Sequence, residues 1–269
     1  MLARVESLFV FPVKACAGLA VGQLVFDQAG RVDGDREWVV TDAAGQVTWQ
    51  GDHPLLARVQ PALDGAALVL HAPGQAPLHL PPQGAMRAAE IGIWNDVDKR
   101  SETFAGWDAG PAASAFLHAA TGADLRLVRL GAAAVARASV NPVHLLSLAS
   151  LDELNQALRA CGHAAVGPER FRPNIVLDGE QLLPFLEEQL TGLHWDDGGE
   201  LRATTACVRC VVPNVDPATG QVQPEPGPTV AELSTRRRPG APSTLGVYAR
   251  PTRAAVLARG AVVRLELSL

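Results

Sequence analysis

Short β-favouring runs separated by glycine- and proline-containing turns fill the first hundred residues, and this spacing constrains the fold more than any other feature. Residues 5–13 form an apolar run, and residues 38–41 and 46–49 flank a turn segment that ends in glycine, which predicts a hairpin. Asp64-Gly65 and Pro73-Gly74 predict two further hairpin turns. Such spacing favours an antiparallel barrel or sandwich over alternating βαβ units.

Two helices and three later strands complete the predicted pattern. A helix over residues 111–120 begins with proline and is followed by Gly122, which fits the preference for proline at the start and glycine past the end. A second helix is predicted to begin at Ser150, because Glu153 stands at capping-box spacing from it. The predicted later strands cover residues 174–178, 201–207 and 261–267. The fold class is therefore mainly β with a few helices (α+β).

Two proline-rich stretches are predicted to be surface loops. Residues 223–228 and 236–242 each contain several prolines or proline-glycine pairs, and proline lacks the backbone donor that strands and helices need. The second stretch contains three consecutive arginines, residues 236–238. These could bind an anion, but a solvated charge run is the favoured interpretation.

Composition excludes several partner classes. The 269 residues are 48% hydrophobic and carry a net charge of -5, which permits a substantial core and argues against nucleic-acid binding and membrane adhesion. No run approaches the roughly 18 apolar residues of a membrane span, and charges interrupt the N-terminal apolar stretch where a signal peptide would lie. We therefore expect a cytoplasmic protein. Four cysteines are too few for a disulfide framework in a chain of this length.

The pair Cys207-Val208-Arg209-Cys210 is the first candidate site. A thiol beside an arginine can supply a thiolate to a soft metal or to sulfur chemistry. A zinc site would need two more ligands at short spacing, and a thioredoxin-like pair would start a helix, whereas this pair ends a strand. A reactive thiol, zinc binding, redox pairing and plain packing of one cysteine all stay open on this motif alone.

Arg172 and Asn174 form the second candidate site. Because Pro173 favours an extended conformation for Arg172, both side chains are predicted to point to the same side of the chain. A guanidinium and an amide suit a phosphate or a polar heterocycle. The alternative, of equal weight, is an ion pair between Arg172 and either Asp178 or Glu169.

Lys14 and Arg36 are weaker candidates on residue type alone. Lys14 is one of only two lysines, and Arg36 opens a strand after the turn at Gly34. The sequence contains no Rossmann fingerprint, Walker-type phosphate loop, His-Glu-x-x-His or Gly-x-Ser-x-Gly motif, which makes several large enzyme classes poor candidates.

The order of these motifs along the chain resembles that of the MOSC proteins, and in particular the branch with an N-terminal MOSC β-barrel domain that includes the mitochondrial amidoxime reducing component and its bacterial relatives. The motifs span nearly the whole chain: Phe11-Pro12-Val13-Lys14, Gly34-Asp35-Arg36-x-Trp38, Trp94-Asn95-Asp96, Ser150-Leu151-x-x-Leu154-Asn155, Phe171-Arg172-Pro173-Asn174, Cys207-x-Arg209-Cys210 and Val215-Asp216-Pro217-x-Thr219-Gly220. The resemblance implies an N-terminal β-barrel-like domain over residues 1–120, packed on a MOSC β-barrel domain over residues 121–269.

The resemblance also implies a molybdenum cofactor and the residues that hold it. The metal-binding and catalytic cysteine of the family falls on Cys210, whose thiolate Arg209 would favour. The implied cofactor contacts fall on Lys14, Arg36, Asn141, Arg172, Asn174 and Tyr248. Ala15 and Val208 stand where the family has hydroxyl residues, and Val140 is a third such position, so a few hydroxyl contacts are missing.

The implied reaction is the reduction of N-hydroxylated bases or related N-oxygenated small molecules. Electrons would come from a separate ferredoxin- or cytochrome b5-like donor protein, since no ferredoxin-type cysteine cluster occurs in the chain. The alternative is a sulfur carrier or cofactor-binding protein in which Cys210 bears a persulfide and no substrate is reduced.

Overall fold

Strands dominate the computed structural model, which describes residues 1–82, 86–96, 98–137 and 142–268. The strands are β1 (Leu2–Val10), β2 (Leu19–Val21), β3 (Gln23–Phe26), β4 (Trp38–Thr41), β5 (Gln60–Asp64), β6 (Ala67–His71), β7 (Leu78–Leu80), β8 (Arg87–Asn95), β9 (Arg100–Asp108), β10 (Arg126–Leu130), β11 (Val143–Ser147), β12 (Ile175–Asp178), β13 (Leu190–Trp195), β14 (Glu200–Val208), β15 (Thr244–Pro251), β16 (Ala255–Ala258) and β17 (Val262–Leu267). The helices are α1 (Pro111–Thr121), α2 (Ala132–Val135), α3 (Leu148–Ala160) and α4 (Gly227–Arg237). The predicted mainly β class is confirmed.

Seven strands close into a barrel in the order β12, β11, β15, β14, β13, β17 and β1, with β1 pairing back onto β12. The pair β11 and β12 is parallel, and the other pairs around the ring are antiparallel. Alternate side chains of these strands point inward and form one apolar core. That core includes Val5, Leu8, Leu145, Leu177, Leu193, Leu201, Val247 and Val263.

The barrel takes its closing strand from the beginning of the chain. Leu8 in β1 pairs with Ile175 in β12, and Ala3 pairs with Val263 in β17. Strand β3 likewise pairs with β16, near the other end of the chain. The division at residues 120 and 121 stays a prediction, and the strand pairing joins β1 to the second half of the chain.

A smaller lobe forms from the strands between β4 and β10. Its four-stranded sheet has the order β4, β10, β9, β8, and a separate three-stranded sheet has the order β5, β6, β7. Helix α1 packs against this lobe through Ala113, Phe116 and Leu117. The hairpins predicted at Asp64-Gly65 and Pro73-Gly74 are confirmed. Residues 46–49, however, form only isolated bridges instead of a regular strand.

Helix α1 begins at Pro111 as predicted and ends one residue later than predicted, at Thr121. Gly122 follows it in the left-handed conformation, with φ of 74°, which glycine adopts without steric cost. Of the helices that the structure describes, α3 with 13 residues is the longest, and none has the length and apolarity that a membrane crossing requires.

The predicted start of α3 at Ser150 is wrong by two residues. Ser147 is the N-cap, and its hydroxyl accepts a hydrogen bond from the Ser150 backbone N–H at 3.1 Å. The Ser150 hydroxyl donates instead to the buried carboxylate of Glu187 at 2.7 Å. Ser147 is therefore the N-cap of α3, because the Ser150 hydroxyl is bound to Glu187, which lies 37 residues further along the chain.

The two predicted proline-rich loops are also partly wrong, because α4 includes the end of the first and the beginning of the second. Pro228 lies in the first turn of α4, where a missing N–H costs nothing. Arg237 and Arg238 are not simply solvated, since their guanidinium groups lie 3.4 and 2.9 Å from the carboxylate of Glu188.

Candidate functional site

The segment after β1 brings Lys14 beside Arg36. Backbone hydrogen bonds join the two segments: Arg36 N–H donates to the Phe11 carbonyl at 2.7 Å, and Lys14 N–H donates to the Trp38 carbonyl at 2.8 Å. Arg36 itself has a positive φ of 54°. Two cationic residues thus lie on adjacent stretches of backbone, at the start of the smaller lobe.

Two guanidinium groups lie close to the ring of Phe11. The Arg36 guanidinium carbon lies 5.0 Å from the ring centroid, and that of Arg172 lies 4.3 Å from it. These distances allow cation–π attraction, which helps to hold two like charges close together. Arg172 comes from the second half of the chain, so the ring marks the place where both halves meet.

The extended conformation predicted for Arg172 is wrong. Its backbone is left-handed, with φ of 56° and ψ of 47°, and it ends the short 3-10 helix Pro168–Phe171. The guanidinium donates to the carbonyl oxygen of Cys16. The tertiary contacts with Cys16 and Phe11 therefore override the local preference that Pro173 imposes. Within the described ranges, neither Asp178 nor Glu169 forms an ion pair with Arg172.

Asn174 positions its neighbours and has no hydrogen-bonding capacity left for a ligand. It is fully buried. Its side-chain oxygen accepts from the backbone N–H of His144 at 3.1 Å and from Arg36 at 3.3 Å. Its amide nitrogen donates to the Phe9 carbonyl and to Asp35, both at 3.1 Å. These contacts give Asn174 a positioning role, and its predicted contact with a cofactor stays a prediction.

Four basic residues, which we name the cation cluster, are linked through the ionisation of Lys14: Lys14 itself, Arg36, Arg137 and Arg172. Burial and the charges of Arg137, Arg172 and Arg36 lower the pKa of Lys14 to about 8. Burial and the Arg36 charge lower the pKa of Arg172 to about 9. An anion bound here would counter the repulsion that lowers these two pKa values.

Cys210 acts electrostatically on one member of this cluster, Arg172. Its side chain is exposed in the loop after β14, and its charge is close enough to raise the pKa of Arg172 against the larger lowering effects. An exposed thiol and a half-buried guanidinium at one site can together bind a ligand that has both a soft metal and an anionic group.

Arg209 faces Cys207 and not Cys210, which corrects the role predicted for it. One guanidinium nitrogen donates to the Cys207 sulfur at 2.8 Å, and the other donates to the Phe171 carbonyl at 3.2 Å. The same guanidinium carbon lies 5.4 Å from the centroid of the Phe171 ring. Arg209 thereby links the loop that bears Cys210 to the loop that bears Arg172.

Cys207 is a buried thiol in polar surroundings, so plain packing does not describe it. Burial alone would raise its pKa, but His144, Arg209 and a hydrogen bond from Tyr248 lower the pKa to about 6. Burial and the charge of Cys207 raise the pKa of Tyr248. The Tyr248 hydroxyl therefore stays protonated and donates a hydrogen bond to the Cys207 sulfur. Tyr248 thus stands near the site, half-buried and turned toward Cys207.

The remaining predicted positions add little. Asn141 and Val140 lie outside the described residues. Ala15 has a buried methyl group and a positive φ of 75°, and Val208 is 58% exposed. Arg137, in contrast, belongs to the cation cluster but was not predicted, because a single arginine after an alanine-rich stretch carries no motif.

Two family models together cover most of the chain. Residues 2–124 match the MOSC N-terminal beta barrel domain, and residues 132–264 match the MOSC domain.

Several curated proteins are similar over most of the chain. Mitochondrial amidoxime reducing component 2 of Rattus norvegicus is 28% identical over 243 residues, which cover 80% of this chain and 68% of the rat protein. Mitochondrial amidoxime-reducing component 1 of Homo sapiens is 27% identical over 241 residues, covering 80% and 67%. Molybdenum cofactor sulfurase of Drosophila grimshawi is 29% identical over 242 residues, which cover 85% of this chain but only 30% of the sulfurase.

Proposed function

This chain belongs to the MOSC family, and we propose that it binds a molybdenum cofactor and uses it to reduce N-hydroxylated bases or related N-oxygenated compounds. The observation that carries the proposal is the tie between the exposed Cys210 thiol and the half-buried Arg172 guanidinium: Arg209, the residue before Cys210, donates to the carbonyl of Phe171, the residue before Arg172, at 3.2 Å. The first offers a soft ligand for molybdenum, and the second offers a counter-charge for the cofactor's phosphate. The amidoxime reducing components named above support the reaction class.

The donor set of the site fits such a cofactor. Lys14 and Arg172 have no carboxylate within 4.0 Å in the part of the chain that the structure describes, so both are available to an anion. Arg36 is partly neutralised by Asp35, whose side chain is only 4% exposed. Lys14 and Arg172 would therefore hold the phosphate directly, with Arg36 beside them.

The surrounding side chains would keep these groups oriented. Asp35 accepts hydrogen bonds from the Phe11 backbone N–H at 2.7 Å and from Asn174, and it also pairs with Arg36. This network fixes the Phe11 ring under the two guanidinium groups. A fixed array of donors loses little free energy to reorganisation when the ligand enters.

Arg209 would keep Cys210 at the correct distance from the phosphate site. Its two hydrogen bonds tie the Cys210 loop to Phe171, the residue before Arg172. Arg170 adds a second tie, with hydrogen bonds to the Pro213 carbonyl at 3.2 Å and to Gln223 at 2.7 Å. When bound, the cofactor supplies the two-electron chemistry that removes oxygen from an N–OH group. A separate protein would deliver the electrons. The cytoplasmic location of the protein stays a prediction.

Metal analysis tests this proposal. Protein purified from a host that makes the cofactor is expected to contain molybdenum in a ratio of about one atom per chain. It is also expected to reduce an N-hydroxylated amidine with an artificial electron donor. Cys210→Ala should lose this activity. X-ray absorption at the molybdenum should also show that the variant has one sulfur ligand fewer than the wild type. Cys161→Ala, which removes another exposed thiol, is the control. Protein from such a host that contains no molybdenum would contradict the proposal.

The second candidate function is sulfur transfer. Cys210 is an exposed thiol, and the chain is similar to part of a molybdenum cofactor sulfurase. In this case Cys210 would carry a persulfide, and cyanide would release its outer sulfur as thiocyanate. Thiocyanate release from the wild type but not from Cys210→Ala, without reduction of the amidine, would favour this function over the first.

A further inference from the structure

We propose that the surface around Cys210 is the docking site of an electron-donor protein that presents an acidic patch. This inference rests on the proposed function, which requires a separate donor, and it adds where that donor binds and which charge it carries. We name this surface the docking face, and it consists of Val208, Cys210, Val211, Arg236 and Arg238.

The segment between α4 and β15 runs beside the loop that follows β14. The backbone N–H of Arg209 donates to the Ser243 carbonyl at 2.9 Å. Val208, the last residue of β14, pairs directly with Thr244, the first residue of β15. The Arg238 guanidinium donates to the Thr244 hydroxyl at 2.5 Å. Because directly paired residues have Cβ atoms about 5 Å apart, the Arg238 guanidinium lies within a few ångströms of Val208.

Two exposed valines flank the proposed metal ligand. Val208 is 58% exposed and Val211 is 55% exposed. Cys210 lies between them in the chain and is exposed as well. An exposed apolar patch bordered by charged residues is typical of a protein–protein contact. The thiol therefore lies on a surface that suits the approach of another protein.

The charge of this region is opposite to that of the chain. Residues 203–215 and 233–249, which include the docking face, contain four arginines and no lysine, aspartate or glutamate. The whole chain has a net charge of -5. A basic region on an acidic protein attracts acidic partners and repels further copies of the same chain.

The arginines of this region reach the solvent more than the main carboxylate that opposes them. Arg236 is 68% exposed and Arg238 is 45% exposed. Glu188 pairs with both Arg237 and Arg238, so one carboxylate opposes two guanidinium groups, and its side chain is only 6% exposed. Glu232 pairs with Arg236. Positive charge is thus in excess at the surface, and a complementary partner surface is acidic.

The proposed reaction needs a short-lived complex with the donor. Conversion of an N–OH group to N–H and water consumes two electrons and two protons. A one-electron carrier must therefore dock twice in each turnover and leave each time. Charged residues at the edge of a small interface speed association without a large buried area, which suits such a complex.

Kinetics of the cofactor-loaded, full-length enzyme test the proposal, with a plant-type ferredoxin as probe because it is an acidic one-electron carrier. NADPH and ferredoxin reductase keep the probe reduced, and an N-hydroxylated amidine is the substrate. Arg238→Glu is expected to raise the KM for ferredoxin about tenfold at low ionic strength, and salt should shrink this difference. The rate with a small uncharged dye as donor should stay unchanged. Calorimetry of oxidised ferredoxin with the cofactor-free protein should show the same loss of affinity.

Arg264→Glu is the matched control. Arg264 lies in β17 and is 62% exposed. It pairs with His194, which pairs with Glu200, the first residue of β14, whereas Cys210 follows the opposite end of that strand. The same change of charge is thus made far from Cys210. The KM for ferredoxin should stay within about twofold of the wild-type value, because salt screens exposed charges at that distance.

The outcomes separate this inference from the proposed function. Equal KM values for Arg238→Glu and Arg264→Glu would overturn the docking face, as would a wild type that uses the dye but not ferredoxin. A wild type that dimerises where Arg238→Glu is monomeric would assign the face to a second copy of the chain and also overturn the proposal. Without dye-driven activity the proposed function fails, and calorimetry alone then decides on the docking face.

A second variant covers the case in which Arg238→Glu does not fold, since the new carboxylate would lie close to Glu188. If circular dichroism shows that this variant is unfolded, Arg236→Glu decides, because Arg236 is more exposed and contacts only Glu232 among the ion pairs of the described residues. It should raise the KM for ferredoxin about threefold at low ionic strength. A wild-type KM for Arg236→Glu would overturn the proposal.

Discussion

At the scale of single residues, the clearest surprise is the environment of Cys207. The thiol is 1% exposed, yet it accepts a hydrogen bond from Arg209 and lies beside His144 and Tyr248. Buried cysteines usually behave as small apolar groups with a raised pKa. Here the neighbours outweigh the effect of burial and lower the pKa of Cys207, which favours the thiolate that accepts a hydrogen bond from Arg209. The exposed Cys210 and the buried Cys207 therefore have different tasks although they belong to one motif.

The lowered pKa of Cys207 predicts a pH-dependent contribution to stability. The folded pKa is about 6, against about 9 in the unfolded chain, so this contribution is complete above about pH 9 and is lost as the pH falls toward 6. The free energy of unfolding of the wild type, relative to Cys207→Ser, should rise between these limits by on the order of 4 kcal/mol. Urea denaturation of the cofactor-free protein at several pH values measures it. Cys161→Ser, at an exposed position, is the control, and parallel pH profiles of wild type and Cys207→Ser would contradict the prediction.

At the scale of elements, the start of α3 distinguishes two serines three residues apart. Ser147→Ala removes the N-cap bond and a hydroxyl bond of 2.9 Å to the buried Glu187. We expect a loss of about 2 kcal/mol in the free energy of unfolding. Glu153→Gln should change it by less than about 0.5 kcal/mol, because the structure gives Glu153 no capping role. Urea denaturation compares the two, and a larger loss for Glu153→Gln would restore the capping box predicted from the sequence.

Elements whose signals are local were predictable, and those decided by distant contacts were not. The hairpins at Gly65 and Gly74 and the end of α1 at Gly122 depend on backbone conformations that glycine adopts. The start of α3 depends on Glu187, and the left-handed Arg172 depends on the second half of the chain meeting the first. Both facts lie beyond a local reading of the sequence.

The candidate site shows the same division. Its residues were brought together only by the order of family motifs, since Lys14 and Arg36 alone carried weak signals. Residues 223–228 were predicted to be a loop because proline breaks helices. Pro228 nevertheless lies in the first turn of α4, where a helix tolerates proline. Arg137 was missed because its effect on the pKa of Lys14 is one that no local pattern encodes.

At the scale of the whole molecule, the barrel and the site both need the two halves of the chain. Strand β1 fills the gap between β12 and β17. Phe11, Lys14 and Arg36 of the site come from the first half of the chain, and Arg172 and Cys210 come from the second half. A cofactor held by both sets would tie the halves together, so that its binding and the folding of the whole chain support each other.

The shared barrel predicts that residues 121–269 do not fold alone. Without β1, strands β12 and β17 have open edges, and Val5 and Leu8, which are 0% and 1% exposed in the full chain, leave a gap in the core. This fragment should lack a cooperative thermal transition, and a peptide of residues 1–12 should restore one. A peptide with Val5→Asp and Leu8→Asp should not, because a buried charge without a partner opposes docking.

Even the restored complex should fail to bind phosphate in calorimetry, since Lys14 and Arg36 are absent from it. A cooperative transition of the fragment by itself, measured by near-ultraviolet circular dichroism, would show that the second half closes its barrel without β1.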